Sequence, residues 1–344
     1  MQAGNLAKSA LNYAHGIYHL RYTAVLCVKN HATLFTASTE AGSVHWAFLK
    51  EFLTQYGRDF NQSYLIHEFL QKKTPEDRAD FQKIRKDIPD AQFITEHISV
   101  AKEYLTIIAL TPHDFYLELT FLAKPNLSAV WLIDQIKTES SRIFKLRFPN
   151  DIGEALWESD ALIFTTEMNG QQNFKDFMTA LNGNSQRGLD YSLPLAGHRD
   201  ADLYKFGTQT GYYALRYLAV LVFKNFQPFV SNPDKATAIS HAIQAFFHVS
   251  ATDPQGLKRG YKLLSFDLKN YYIAIDFKIH YTTKPSQFIN SVRMALTKRI
   301  KHQFAHESLA ELWELPYFLI TLDASMKDQV ADYIHYKQVI YWPS

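Results

Sequence analysis

Branched and aromatic residues recur in a strand-like pattern along Leu20–Asn30, LRYTAVLCVKN, and again along Leu215–Asn225, LRYLAVLVFKN. Each run predicts a strand of a half-buried sheet, with a turn at its Lys-Asn end. Eight of the eleven positions are identical at an offset of 195 (215 minus 20). Such a match is an internal repeat, and it predicts two related domains.

The rest of the chain can be read against this repeat. In the first copy, Val44, Phe48, Phe52 and Leu53 recur at helical spacing within 41–56. Residues 57–89 are charged and helical in pattern, and PEDRADFQKIRKDI opens on Pro75 as a helix start should. Strands are expected at 103–110 and 114–122, as a hairpin turning at Thr111-Pro112-His113. A helix over 126–148 stopped by Pro149, a short Leu156-Trp157 element, a strand at 162–166 and a helix at 174–181 complete the copy. The second copy repeats the order, with a strand at 213–223, a helix at 234–249, strands at 261–267 and 271–278, and a helix at 285–304. The motif Leu312-Trp313-Glu314 and a strand in PYFLITLD follow, then a helix at 326–338.

Leu156-Trp157-Glu158 and Leu312-Trp313-Glu314 match at an offset of 156 (312 minus 156), so the first copy carries about 39 extra residues (195 minus 156), assigned to the 57–89 segment. Each unit reads β, α, β, β, α, β, α. The fold class is therefore α+β, two tandem ferredoxin-like antiparallel sandwich domains. The expected domains are 1–183 and 207–344, joined by a Gly-, Asn- and Ser-rich linker at 184–206.

Composition narrows the function classes. A chain of 344 residues with 15% aromatics can bury a core in each of two domains. The longest apolar run, Tyr217–Phe223, is too short to cross a bilayer, and MQAGNLAKSALNYAHG lacks the apolar core of a signal peptide, so no membrane and a cytoplasmic location are expected. The single cysteine, Cys27, excludes an internal disulfide or a cysteine-ligated zinc site. A net charge of +2 gives no strong sign of nucleic acid. No glycine-rich phosphate loop, HExxH helix or GxSxG elbow is present; His15, His19 and His31 cluster, but His15 and His19 at i and i+4 would need a helix where the pattern is entering a strand, and a structural or solvated role is expected.

The run SSRIFKLRFP followed by Leu-Trp, with PYFLIT and DYIHYKQ in the second copy, resembles the single-strand transposases of small bacterial insertion sequences. These are HUH-superfamily enzymes with one catalytic tyrosine, including the REP-associated tyrosine transposases. The resemblance implies two histidines at i and i+2 on a central strand, holding a divalent metal such as magnesium or manganese. It also implies a tyrosine on the last helix that attacks the scissile phosphate, with an amide one turn further on. The histidine positions fall on Asp114 and Tyr116 in the first copy and on Asn270 and Tyr272 in the second. His113 sits one position early, with Phe115 as its i+2 partner, and is read as a turn residue. The nucleophile's place holds Tyr333 in the second copy and Phe177 in the first, while Lys337 and Leu181 stand one turn on and Gln338 is out of phase. No metal and no cofactor are expected, and Tyr333 is read as vestigial.

Family members grip DNA hairpins with basic residues of the first strand and of the helix after the histidine strand. The matching residues are Arg21, Lys29, Arg142, Lys145 and Arg147 in the first copy and Arg216, Lys224, Lys298, Arg299 and Lys301 in the second. The resemblance implies a transposase-derived, catalytically inactive monomer that binds single-stranded or hairpin DNA, its two tandem domains forming a pseudo-dimer packed as family subunits would pack. Two other readings remain open: a protein-interaction module with a partner at the 57–89 insertion, and an active transposase with unconventional metal ligands.

Overall fold

A computed structural model describes residues 16–98, 103–166, 204–205, 212–224, 228–251, 261–280, 282–305, 311–314 and 317–322. The expected linker and the helices at 174–181 and 326–338, with Phe177, Leu181, Tyr333, Lys337 and Gln338, lie outside the described residues. The fold is α+β. In the first half it runs β1 (Gly16–His19), β2 (Arg21–Cys27), α1 (Glu40–Gln71), α2 (Pro75–Asp87), α3 (Asp90–His97), β3 (Leu105–His113), β4 (Tyr116–Ala123), α4 (Ala129–Arg147) and β5 (Leu162–Thr165). It continues with β6 (Tyr204–Lys205), β7 (Tyr212–Ala214), β8 (Arg216–Val222), α5 (Pro233–Ala251), β9 (Lys262–Lys269), β10 (Tyr272–Lys278), α6 (Pro285–Gln303) and β11 (Tyr317–Thr321). No helix among the described residues is long and apolar enough to cross a membrane.

Two sheets form, ordered β3-β4-β2-β5-β7-β6 and β9-β10-β8-β11-β1. Each has an antiparallel core of four strands, as the alternating patterns predict. The fifth strand of each is parallel and comes from the segment leading into the other sheet. β1 precedes β2 in the chain yet pairs with β11 of the second sheet, Tyr18 opposite Leu319. β7 precedes β8 yet pairs with β5 of the first sheet, Tyr213 opposite Ile163. The two registers correspond, since 18 plus 195 is 213 and 163 plus 156 is 319. The chain therefore leaves one sheet and enters the other at Leu20 and at Leu215, both almost fully buried.

Hydrogen bonds around these crossings repeat as well. The backbone N–H of Arg21 donates to Thr321 Oγ1 at 3.0 Å, and that of Arg216 donates to Thr165 Oγ1 at 3.1 Å. Between the sheets the Tyr22 and Tyr217 hydroxyls meet at 3.1 Å, with ring centroids 6.4 Å apart. One continuous hydrophobic core runs through this contact, from Leu26, Phe121 and Phe144 in one half to Leu221, Phe277 and Phe288 in the other.

The repeated motifs prove to be one structural device. Lys29 N–H donates to Leu156 O and Glu158 N–H to Cys27 O; Lys224 N–H donates to Leu312 O and Glu314 N–H to Val222 O. Leu-Trp-Glu thus closes the end of the first strand in both halves, and each indole N–H finds a hydroxyl, Ser140 for Trp157 and Thr297 for Trp313. Asn30 takes a left-handed conformation, φ 57°, which asparagine tolerates better than most residues, and its N–H donates to the Glu158 carboxylate at 2.8 Å.

Several local expectations are corrected. The expected strand 213–223 is broken at Leu215, and its two parts belong to different sheets, because pairing partners rather than local pattern decide where a strand goes. The first hairpin turns at Asp114-Phe115 rather than at Thr111-Pro112-His113, since Pro112 and His113 stay paired with Leu117 and Tyr116. The first helix does not end near Tyr56. It runs 32 residues to Gln71, roughly 48 Å of continuous helix, so the extra residues begin inside α1.

The added helices α2 and α3 fold back on the end of α1. Phe69, Phe81 and Phe93 meet edge to face there, yet α2 itself buries no residue. Asn61 secures α1 to β3, accepting from the N–H groups of Tyr104 and Leu105 and donating to Leu105 O.

Candidate nucleic-acid interface

In each sheet one face carries the helices and the shared core, and the opposite face holds the positions expected of a metal site. Asp114 lies in the β3–β4 turn and Tyr116 is the first residue of β4, its ring stacked on His113 at 4.0 Å with only 8° between planes. His113 Nε2 stands 3.3 Å from Glu118 Oε1. In the second half Tyr272 is the first residue of β10 and is 3% exposed, packed in an apolar cluster with Leu218, Val220, Val222 and Phe318. Asn270 is exposed in the turn before it. Among the described residues no three His, Cys, Asp or Glu side chains converge as metal ligands would.

The basic candidates separate into three environments. Arg216 is buried, 5% exposed, and its guanidinium makes a two-pronged ion pair with Asp276, Nε to Oδ1 at 3.0 Å and Nη2 to Oδ2 at 2.6 Å. Its counterpart Arg21 has Thr120 in place of that aspartate, because 276 minus 156 is 120 and a threonine stands there. Arg21 is half-buried and its Nε is a buried donor without a hydrogen-bond partner. Lys224 is engaged by Glu311 at 2.9 Å and Glu314 at 3.7 Å, whose carboxylates raise its pKa, whereas Lys29 sits half-buried in the 3-10 turn after β2.

The third group lies on helix ends. Arg142, Lys145 and Arg147 on α4, and Lys298, Arg299 and Lys301 on α6, are all exposed. Arg142 pairs with Glu139 at 2.9 Å, and Arg147 lies over the Phe148 ring. Arg142 and Lys145 correspond to Lys298 and Lys301 at the 156 offset. The N-terminal ends of the two helices meet at the junction of the halves, where Ser286 N–H donates to Pro125 O at 2.9 Å. Each helix has 19 residues, so each basic end lies roughly 28 Å along its helix from that junction.

Residues 212–337 match the family model described as Transposase IS200 like. The match lies within the second half of the chain and spans just over a third of its length. A solved structure described as a candidate transposase from Deinococcus radiodurans R1 is 15% identical, with a TM-score of 0.27, over 35% of this chain and 88% of that one. A heme-binding protein from Thermus thermophilus is 12% identical over 91% of this chain and 95% of that one, with a TM-score of 0.19. A protein named as a chlorite dismutase is 12% identical over 89% and 97%, with a TM-score of 0.16. These overlays are too distant to support a functional argument. No curated protein matches the sequence.

The sequence reading missed an aromatic ladder. Phe52, Tyr56, Phe60 and Tyr64 recur every fourth residue along α1, with successive ring centroids 5.9, 6.1 and 5.6 Å apart, and Trp131 of α4 lies 6.0 Å from Phe60. The i, i+4 spacing is visible in the sequence, but it straddles the point where the insertion is expected to begin.

Proposed function

We propose that this chain is a transposase-derived protein, duplicated in tandem, that binds single-stranded or hairpin DNA and no longer cleaves it. The observation that carries the reading is the Transposase IS200 like match over residues 212–337, set beside Tyr272. Within that match, the second of the two metal-ligand positions is a tyrosine buried in an apolar cluster. A phenol there offers no neutral imidazole nitrogen, and burial among aliphatic side chains disfavours both a divalent ion and the ionised form that would hold one. In the first half Tyr116 stands at the same position against His113. The duplication is supported by the matching offsets and by the exchange of β1 and β7, which makes the two halves partners in one fold. Fusion removes the need for both halves to keep the same site, so Phe177 and Tyr333 were free to differ.

Arg142, Lys145, Lys298, Arg299 and Lys301 would supply phosphate contacts, with Arg147 beside them. Such binding must weaken steeply with salt, and removing Lys145 and Arg147 should lower the slope of log affinity against log salt by about one for each phosphate no longer neutralised. The decisive experiment incubates the full chain with hairpin and linear single strands in magnesium or manganese. Gel shifts that fade with salt and no covalent protein–DNA product are expected. A covalent product abolished by Tyr333→Phe would overturn the reading in favour of an active enzyme, and salt-insensitive failure to bind would favour a protein-interaction role.

A further inference from the structure

A cleft of about 430 Å³ opens where the two halves meet, between α1, the start of α4 and the loop before α6. Leu127 and Val130, both buried, form its apolar floor. One wall is the end of the aromatic ladder, Tyr64 stacked on Phe60, with Trp131 6.5 Å from Tyr64. Trp131 is 41% exposed, a large apolar surface left open to solvent at the mouth of a cavity. Its counterpart in the second half is Gln287 (131 plus 156), and Tyr64 belongs to the stretch of α1 that has no counterpart there. The aromatic wall of the cleft is thus peculiar to the first half and its extra residues.

Two charged groups complete it. Asp134, three residues after Trp131 on the same side of α4, lines the cleft, and among the described residues no side chain bonds its carboxyl. The surrounding bulk raises that carboxyl's pKa, while Lys137 pulls it the other way. Lys284 comes from the other half, on a loop held in place by three contacts. His280 Nδ1 bonds Thr282 Oγ1 at 2.8 Å, the Tyr261 and Thr283 hydroxyls meet at 3.0 Å, and Ser286 N–H reaches Pro125 O. The backbone that carries Lys284 is therefore held at the rim of the cleft.

A ligand that satisfies all these groups has a flat ring for the indole, a hydrogen-bond donor for the carboxylate and an anion for the lysine. A nucleotide whose base carries an amino group has all three. Cytosine, adenine and guanine offer an exocyclic N–H₂, whereas thymine has no amino group and its one ring donor, N3–H, lies between two carbonyl oxygens that a carboxylate repels. We propose that this cleft takes one nucleotide of a single strand, with its base on Trp131, its amino edge at Asp134 and its phosphate at Lys284. The proposal rests on the nucleic-acid reading above and names the element that discriminates among bases.

The test measures binding of fluorescent dC, dA and dT dodecamers, and of free CMP and TMP, to the full chain and to Trp131→Ala, Asp134→Asn and Lys284→Gln. The dC and dA strands should bind more tightly than dT. Trp131→Ala should weaken dC and dA by on the order of tenfold, since stacking on an aromatic side chain carries that much. Asp134→Asn should erase most of the preference over dT, and Lys284→Gln should weaken all three strands alike. Circular dichroism verifies that each variant is folded, which the solvent exposure of Trp131 favours.

Variants that bind all strands as the wild type does would overturn the cleft while leaving the DNA-binding reading intact. CMP competing at the cleft as tightly as the dC strand would overturn the strand as the source and keep the nucleotide chemistry. A wild-type chain that binds neither strand nor mononucleotide would overturn both proposals.

Discussion

Three pairs of equivalent residues show how single side chains divide the two halves. Arg216 faces Asp276, whereas Arg21 has Thr120 in that place, so one arginine is locked in an ion pair and its twin keeps an unpartnered donor. Removing one member of a buried pair of this kind leaves an uncompensated charge, a loss of about 3–5 kcal/mol, so Arg216 belongs to the architecture. Tyr116 and Tyr272, at one position in the two halves, stack on a histidine in one case and fill an apolar cluster in the other. Tyr22 and Tyr217 share one hydrogen bond across the halves, and burial raises both phenol pKa values above the ordinary 10. Tyr56, half-buried beside Glu139, is pushed up to about 12. Because these folded-state values lie above the unfolded ones, their contribution is complete below pH 10 and is lost as pH rises from 10 towards the raised values. Urea unfolding followed from neutral pH into the alkaline range should show stability falling, and a Tyr22→Phe/Tyr217→Phe double variant should show a shallower fall. An equal slope in the two proteins would count against the assignment.

At the scale of elements, the exchanged strands have the farthest-reaching effect. β1 has its sequence neighbours in the first sheet and its hydrogen bonds in the second, so its loss should act at a distance of about three hundred residues along the chain. A chain lacking residues 1–19 is expected to lose amide-exchange protection in β11, Tyr317–Thr321, while β3, Leu105–His113, keeps its own. Loss of protection confined to β2 would contradict the pairing. The insertion acts on a different edge. By lengthening α1 it brings Asn61 to the start of β3, where it satisfies backbone groups of Tyr104 and Leu105, and it carries the aromatic ladder to Trp131. Helix α2 buries no residue and touches the body through Phe81, which meets Phe69 and Phe93 edge to face.

For the whole molecule, the crossings and the shared core bind the halves into one unit. Leu20 and Leu215 lie at the points of exchange, and the tyrosine pair lies between the sheets, so neither half can open without disturbing the other's core. Heating should therefore give a single cooperative transition, with calorimetric and van't Hoff enthalpies in agreement. Two resolved transitions would mean that the halves unfold independently. The charged helix ends, by contrast, are far from this centre, each roughly 28 Å along its helix from the junction. The aromatic cleft, in contrast, lies at that junction.

The sequence by itself determined most of the longer elements and their order, because strand alternation, helical spacing, Pro75 and the Leu-Trp-Glu motif act over a few residues. It also determined the repeat, because identical residues recur at fixed offsets. What it could not determine depends on contacts between distant segments. Whether Arg216 reaches solvent is decided by Asp276 across a strand pair, and whether Lys224 is available is decided by Glu311 and Glu314. Residues 213–223 look like one strand, but Tyr213 and Tyr217 belong to different sheets, since β5 and β10 offer backbone partners on either side of Leu215. Trp131, Asp134 and Lys284 carry no motif between them; only the meeting of α1, α4 and the loop before α6 brings them around one cleft.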